Sequence, residues 1–142
     1  MSPGEVESLD PQQRGLLETT YRALENGKTL RKTSWSKILT VTAAGIPVER
    51  AAGSATSVYV GALGVEYNRF FEFDEEVQAT YKATGNSGAI LANRLSWFYD
   101  LRGPSMTIET ACSSSLIGLH LACQSLRSKE SRMVSATPKM LT

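Results

Sequence analysis

The sequence predicts an α/β fold, on three observations. Ser57 to Leu63 is rich in β-branched and aromatic residues and reads as a buried strand. Ahead of it, Leu16, Leu17, Thr20, Tyr21 and Leu24 recur at three- and four-residue spacing, the mark of one helical face. Late in the chain, a β-rich stretch from Ser105 to Thr110 gives way at Cys112 to a second helical stripe of Leu116, Leu119, Cys123 and Leu126.

Taken in order, the elements begin at Asp10 and Pro11. Asp can cap the free N–H groups of a helix, and Pro is tolerated in its first turn, so a helix should run to about Asn26. Gly15 costs that helix up to about 1 kcal/mol against Ala. The stretch from Gly27 to Ala43 places Lys28, Arg31, Lys32 and Lys37 beside Trp35 and Ile38. It reads as a solvated surface insertion or as a small basic docking loop. After the strand at Ser57 to Leu63, the aromatic cluster from Tyr67 to Phe73 suggests a short, lid-like helix that contributes to the core. Asn86 to Tyr99 is helical, with Ile90 or Leu91, Arg94 or Leu95, and Phe98 on one face, and Asp100 to Pro104 ends it. Arg94 should be a buried partner to a carboxylate, with Glu109 as a candidate. In the last helix, the stripe of Leu116, Leu119, Cys123 and Leu126 should be anchored in the core. Beyond Met133 a core strand is due, but Ser135, Thr137, Pro138 and Lys139 interrupt it, and Pro lacks the N–H that a central ladder needs.

Composition narrows the function classes. The 142 residues can bury one core; 42% are hydrophobic, the formal net charge is +1, and no long apolar run suggests a transmembrane span. Met1 to Asp10 is acidic and polar, unlike a secretory leader, so a cytoplasmic location is expected, with two reduced thiols. No Gly-rich phosphate loop, metal cluster or basic stripe signals a nucleotide, a metal or a nucleic acid. Neither nucleic acid nor membrane is an expected partner, and no internal repeat is present.

The chemistry is concentrated at Cys112, in Thr110-Ala111-Cys112-Ser113-Ser114-Ser115-Leu116. A thiol at a strand-to-helix turn lies against the positive end of the helix dipole, where free backbone N–H groups stabilise a thiolate. Small neighbours leave room for a substrate. The alternative is packing, since cysteine is among the most buried residue types. Cys123 falls on the helical stripe and reads as a core residue. Two cysteines without a His or Cys cluster at ligand spacing do not make a zinc site.

A resemblance runs along most of the chain. Asp10-Pro11-Gln12-Gln13-Arg14, Leu17-Glu18-Thr19-Thr20-Tyr21 and Ala23-Leu24-Glu25 resemble the first helix of a polyketide synthase ketosynthase domain. Ser57-Val58-Tyr59-Val60-Gly61, Ala83-Thr84-Gly85, Leu91 to Phe98, Asp100 to Ser105 and Thr110 to Leu116 resemble the same family in the same order. Leu91-Ala92-Asn93-Arg94-Leu95-Ser96-Trp97-Phe98 is most similar to multidomain fungal-type polyketide synthases.

The resemblance implies a thiolase-like fold, layered αβαβα, with only part of its first half in this chain. It implies a β-ketoacyl synthase in which Cys112 accepts an acyl chain from a phosphopantetheine thioester. A decarboxylative Claisen condensation with a malonyl thioester on an acyl carrier protein then follows. The backbone N–H of Cys112 would contribute to an oxyanion hole. No cofactor would be bound directly, and the parent protein would be a homodimer with the helix at 86–99 and the following strand near its interface.

The chain departs from the family in three places. Ketosynthases carry two catalytic histidines in a later half, whereas this sequence has one, His120. His120 lies eight residues after Cys112, about 12 Å along a helix at 1.5 Å per residue, and reads as structural. Residues 27–43 have no family counterpart. Their removal would join Asn26 to Ala44-Gly45-Ile46-Pro47, as a retained intron would require. Residues 133–142 diverge. Residues 1–142 therefore read as a partial N-terminal domain, and an inactive truncated or mis-spliced fragment is the alternative function. Half a layered core leaves strands and apolar faces uncovered, which predicts aggregation or a molten state.

Overall fold

In the computed structural model, which describes residues 3–25, 47–64, 67, 69 and 81–138, Asp10 starts the long first helix as its side chain predicts. Its carboxylate accepts the Gln12 N–H at 2.7 Å, and its carbonyl takes the Gln13 N–H at 2.9 Å. Pro11 follows at the first helical position, where no N–H is needed. This helix, α2 (Pro11–Glu25), comes after a short α1 (Pro3–Glu7). Leu16 and Thr20 are buried on its inner face.

After a single turn of helix, α3 (Val48–Ala51), the chain enters β1 (Thr56–Gly61), all six residues of which are buried. β1 is the centre of a parallel sheet in the order β2-β1-β3. β2 (Ser105–Ile108) sets Ser105 opposite Val58 and Ile108 opposite Gly61. β3 (Met133–Pro138) sets Met133 opposite Thr56 and Pro138 opposite Gly61. Parallel neighbours need crossovers. Helices α4 (Lys82–Asn86) and α5 (Gly88–Phe98) lie between β1 and β2 in the chain, and α6 (Ser114–Arg127) lies between β2 and β3.

Side chains of β1 alternate between two cores, as the period of a strand requires. Val58, Val60 and the following Ala62 pack with Leu16 of α2, Ala51 of α3, and Leu91, Ala92, Leu95 and Tyr99 in and after α5. Tyr59 faces the other way, against Ala122 of α6 and Val134 of β3, with Ile108, Leu121 and Ala136 beside them. The described residues thus form three layers, helix over sheet over helix. Leu16, Leu91 and Leu95 are essentially inaccessible, each contributing about 1.5–3 kcal/mol of burial.

Several expectations need correction. The helix foreseen at 86–99 forms over 88–98, while Asn86 instead ends the preceding α4, with Ser87 extended between them (φ −73°, ψ 133°). Phe98 is 52% exposed, and Tyr99 takes the inward place, donating its hydroxyl to Leu17 O at 2.8 Å. The partner of Arg94 is Glu5, at 2.5 Å, while Glu109 accepts the Gly64 N–H at 3.1 Å. Arg94 also donates to Gln13 Oε1 (3.1 Å) and Thr84 O (3.0 Å), and Gln13 donates to Gly85 O at 2.7 Å. One buried polar network therefore joins α1, α2, α4 and α5. A strand does form at Met133–Pro138. It lies at an edge of the described sheet with Pro138 last, so the missing N–H falls where the ladder ends.

Gly103 shows how tightly the loop before β2 closes: a Cβ there would lie 2.5 Å from the Thr56 carbonyl carbon. Among the described residues no helix is long and apolar enough to cross a membrane. The stretch at 27–43, most of the aromatic cluster from Tyr67 to Phe73, and residues 139–142 lie outside the described residues.

Candidate functional site

Cys112 lies just past the carboxyl end of β2 and two residues before α6. Ligands of open α/β sheets bind at the carboxyl ends of the strands. A separate concavity, lined by Thr20, Leu24, Ala51, Thr56 and Met133, opens at the opposite, amino ends of β1 and β3.

The turn itself is a sharp bend. Ala111 has φ of +51°, a left-handed conformation that costs a residue with a Cβ about 1–2 kcal/mol. The bend directs the chain from strand into helix within a few residues. The Ser113 N–H donates to Thr110 O at 3.2 Å and the Ser114 N–H to Ala111 O at 3.1 Å. The Ser113 hydroxyl donates to Thr110 O at 2.7 Å. Ser114 Oγ accepts the Thr110 N–H at 2.7 Å and lies 2.8 Å from Ala111 O and 3.2 Å from Ala62 O. Cys112, enclosed by these bonds, is itself exposed.

Gly61, the last residue of β1, sets how close α6 comes to the sheet. A Cβ at this position would be 3.0 Å from both Ser114 C and Ser115 N. Further along α6, Gly118 faces Ile108, whose Cδ1 would sit 3.5 Å from an added Cβ. The buried residues of α6 are Ser114, Gly118, Ala122 and Ser125. This small-residue face, not the leucine stripe, packs on the sheet.

The leucine stripe is therefore a further correction. Leu116 is 66% exposed and Leu126 46% exposed. Cys123, expected in the core, is exposed as well. Small side chains allow helix and sheet backbones to approach closely, and bulky ones at the same spacing point away.

His120 is exposed on α6, and its eight-residue offset from Cys112 along the helix keeps it away from the turn. Among the described residues no three His, Cys, Asp or Glu side chains gather as a metal site. The structure thus offers an accessible thiol on a strained, internally bonded turn at the amino end of a fourteen-residue helix. Such a site can present a nucleophile and, through the positive end of the helix dipole, stabilise negative charge beside it.

The sequence pattern did not reveal the left-handed Ala111, since alanine is not a residue that signals positive φ, nor the close approach at Gly61. The run of three serines after Cys112 was a visible signal of local hydrogen bonding, without indicating which serine turns inward.

Comparisons with known proteins agree with this geometry. Residues 1–137 match the family described as "Beta-ketoacyl synthase, N-terminal domain". The chain is 48% identical over 136 residues to the highly reducing polyketide synthase milA of Cordyceps militaris, covering 96% of this chain and 5% of that protein. It is 49% identical over 127 residues to the lovastatin diketide synthase lovF of Aspergillus terreus, covering 88% of this chain and 5% of the relative. Among solved structures, the oxazolomycin ketosynthase domain OzmH KS7 of Streptomyces albus JA3453 superposes with a TM-score of 0.74 at 33% identity, covering 100% of this chain and 22% of that one. The ketosynthase from module 6 of the bacillaene synthase of Bacillus subtilis 168 gives a TM-score of 0.67 at 34% identity, over 94% of this chain and 19% of its own. The chain therefore spans a small part of each of these relatives, and its α/β layers are part of a thiolase-like fold.

Proposed function

The chain belongs to the beta-ketoacyl synthase family and is related to the ketosynthases of polyketide synthases, and from that premise we propose that it carries the acyl-accepting site, with Cys112 as nucleophile. The supporting observation is the exposed thiol on the bonded turn between β2 and α6. The Cys112 thiolate attacks the carbonyl of an acyl thioester borne by the phosphopantetheine arm of an acyl carrier protein. A new C–S bond forms, the old one breaks, and the phosphopantetheine thiolate departs, so one sulfur replaces another at little cost. In the second half reaction a malonyl thioester loses CO2, and its carbanion attacks the acyl carbon on Cys112 and expels the Cys112 thiolate. The Cys112 N–H is assigned to the oxyanion hole for both tetrahedral intermediates. The working assembly is a homodimer that receives substrates from its carrier protein.

A second reading keeps the family and removes the activity. The condensation needs histidine donors, and the one histidine of this sequence, His120, is exposed on α6 away from the turn. In this reading the stretch at 27–43 is a retained intron, and residues 1–142 carry no condensation activity of their own. A spliced transcript that still encodes Trp35 would rule out the intron.

Intact mass separates the two readings. After incubation with an acyl thioester, the first expects one acyl group on the chain and none on the Cys112→Ala variant. No acylation of either, beside ordinary thiol reactivity, would overturn it.

A further inference from the structure

We propose that Ser114 is a positioning residue for the nucleophile: its hydroxyl spans Cys112, bonding the first turn of α6 to the end of the preceding strand and holding Ala111 in its left-handed bend. The proposal rests on Cys112 being the acyl acceptor and adds the residue that presents it.

Of the three serines after Cys112, Ser113 is exposed, Ser115 is partly buried, and Ser114 is 4% exposed. A hydroxyl has one proton to give and two lone pairs. Ser114 Oγ accepts the Thr110 N–H at 2.7 Å, and its proton goes to Ala111 O at 2.8 Å, with Ala62 O at 3.2 Å as a further acceptor. Thr110 and Ala111 precede the nucleophile and Ser114 follows it, so the hydroxyl closes a ring of backbone around Cys112. Ala62 directly follows β1, which fixes the same atom to the central strand. Gly61 makes this possible, because its missing Cβ lets the Ser114–Ser115 peptide lie against β1.

Without the hydroxyl, the Thr110 N–H loses its partner, and Ala111 O keeps the Ser114 N–H but loses the hydroxyl that helps offset the positive φ of Ala111. Ala111 would then relax toward ordinary φ and swing Cys112 away from the helix terminus. This role differs from simple core filling, because the exposed Cys112 would change while the rest of α6 stayed in place.

The test uses the full chain, an acyl thioester, and peptide mass analysis of both cysteines. Ser114→Ala should slow acyl transfer to Cys112 at saturating thioester by at least tenfold, leave the half-saturating concentration unchanged, and leave iodoacetamide alkylation of Cys123 at its original rate. Ser125→Ala, a buried serine farther along the same helix, should keep acyl transfer within twofold. Acylation of Cys112 within twofold of the unsubstituted chain in Ser114→Ala would overturn the proposal, as would an equal loss in Ser125→Ala. Should Ser114→Ala not fold, Ser114→Thr keeps the hydroxyl and should retain the rate within threefold; a tenfold loss there would overturn the proposal. If the unsubstituted chain takes no acyl group, the acceptor reading fails on its own. The role of Ser114 is then read from the ratio of Cys112 to Cys123 alkylation, which Ser114→Ala lowers tenfold or the proposal is wrong.

Discussion

Two glycines on either side of the same helix–sheet contact should respond to alanine with opposite sign. A Cβ at Gly118, in the middle of α6, would meet Ile108 Cδ1 at 3.5 Å, an ordinary contact with the far end of a flexible side chain. Helix propensity then dominates, and Gly118→Ala should stabilise the fold by about 1 kcal/mol. At Gly61 the added atom would lie 3.0 Å from Ser114 C and Ser115 N and 3.1 Å from Ser114 O, all backbone. The start of α6 must shift, and such overpacking costs about 1–3 kcal/mol. Restricting the unfolded chain returns about 0.4–1 kcal/mol, so Gly61→Ala should be destabilising by about 1–2 kcal/mol. The two variants should therefore differ by about 2–3 kcal/mol, roughly 30- to 150-fold in the folding equilibrium. Urea titration followed by far-UV circular dichroism measures both. If Gly61→Ala were as stable as Gly118→Ala, the close approach of α6 to β1, and the shape of the turn that depends on it, would be refuted.

The remaining predictions concern the core, the polar network and alkaline pH. Leu95→Ala, at a fully buried site, should cost about 2–5 kcal/mol, whereas Leu116→Ala, at a site 66% exposed, should stay within about 0.5 kcal/mol; similar urea midpoints would contradict the packing of α6 through its small residues. Arg94→Ala removes the guanidinium that joins Glu5, Gln13 and Thr84 at a site where the Arg94 side chain is 7% exposed, and should cost about 2–3 kcal/mol. An unchanged midpoint would show that the network contributes no stability. Tyr99 is pushed up to about 12 by burial first and by Tyr21 second. The folded state thus keeps its phenol proton where the unfolded chain, near pH 10, loses it. The resulting stability is complete below about pH 10 and is lost as pH rises toward 12. Tyr99→Phe should flatten that loss between pH 9 and about 11.5, and a parallel decline in both proteins would contradict it.

Much of this architecture was legible in the sequence because single residues carried strong local signals. Asp10 with Pro11 marked a helix start, and the Asp10 carboxylate does accept the Gln12 N–H. The β-branched run at Ser57 to Leu63 matched a strand buried on both faces. The error on α6 was of a different kind. Leu116, Leu119, Cys123 and Leu126 repeat at helical spacing, but so do Ser114, Gly118, Ala122 and Ser125, and periodicity alone does not say which set faces inward. Backbone proximity decided it at Gly61, whose close neighbours Ser114 and Ser115 lie more than fifty positions away. Arg94 shows the same limit. Its burial was legible, but its partner Glu5 lies 89 positions away and comes into reach only when α1 and α5 pack together. At the site, Cys112 stood out because a strand pattern meets a helix pattern there. The bend at Ala111 and the inward turn of Ser114 are products of closure between β1 and α6 and have no local code.

The proposed chemistry requires that the turn, and not exposure alone, make Cys112 the nucleophile. Cys112 and Cys123 are both exposed on the same segment of chain, which provides an internal control. The decisive measurement is the partition of a single acyl group between the two after brief exposure of the full chain to a limiting acyl thioester, read by peptide mass. At least ten acylated Cys112 for each acylated Cys123 is the predicted result. An even partition would contradict that requirement and reduce Cys112 to one accessible thiol among two.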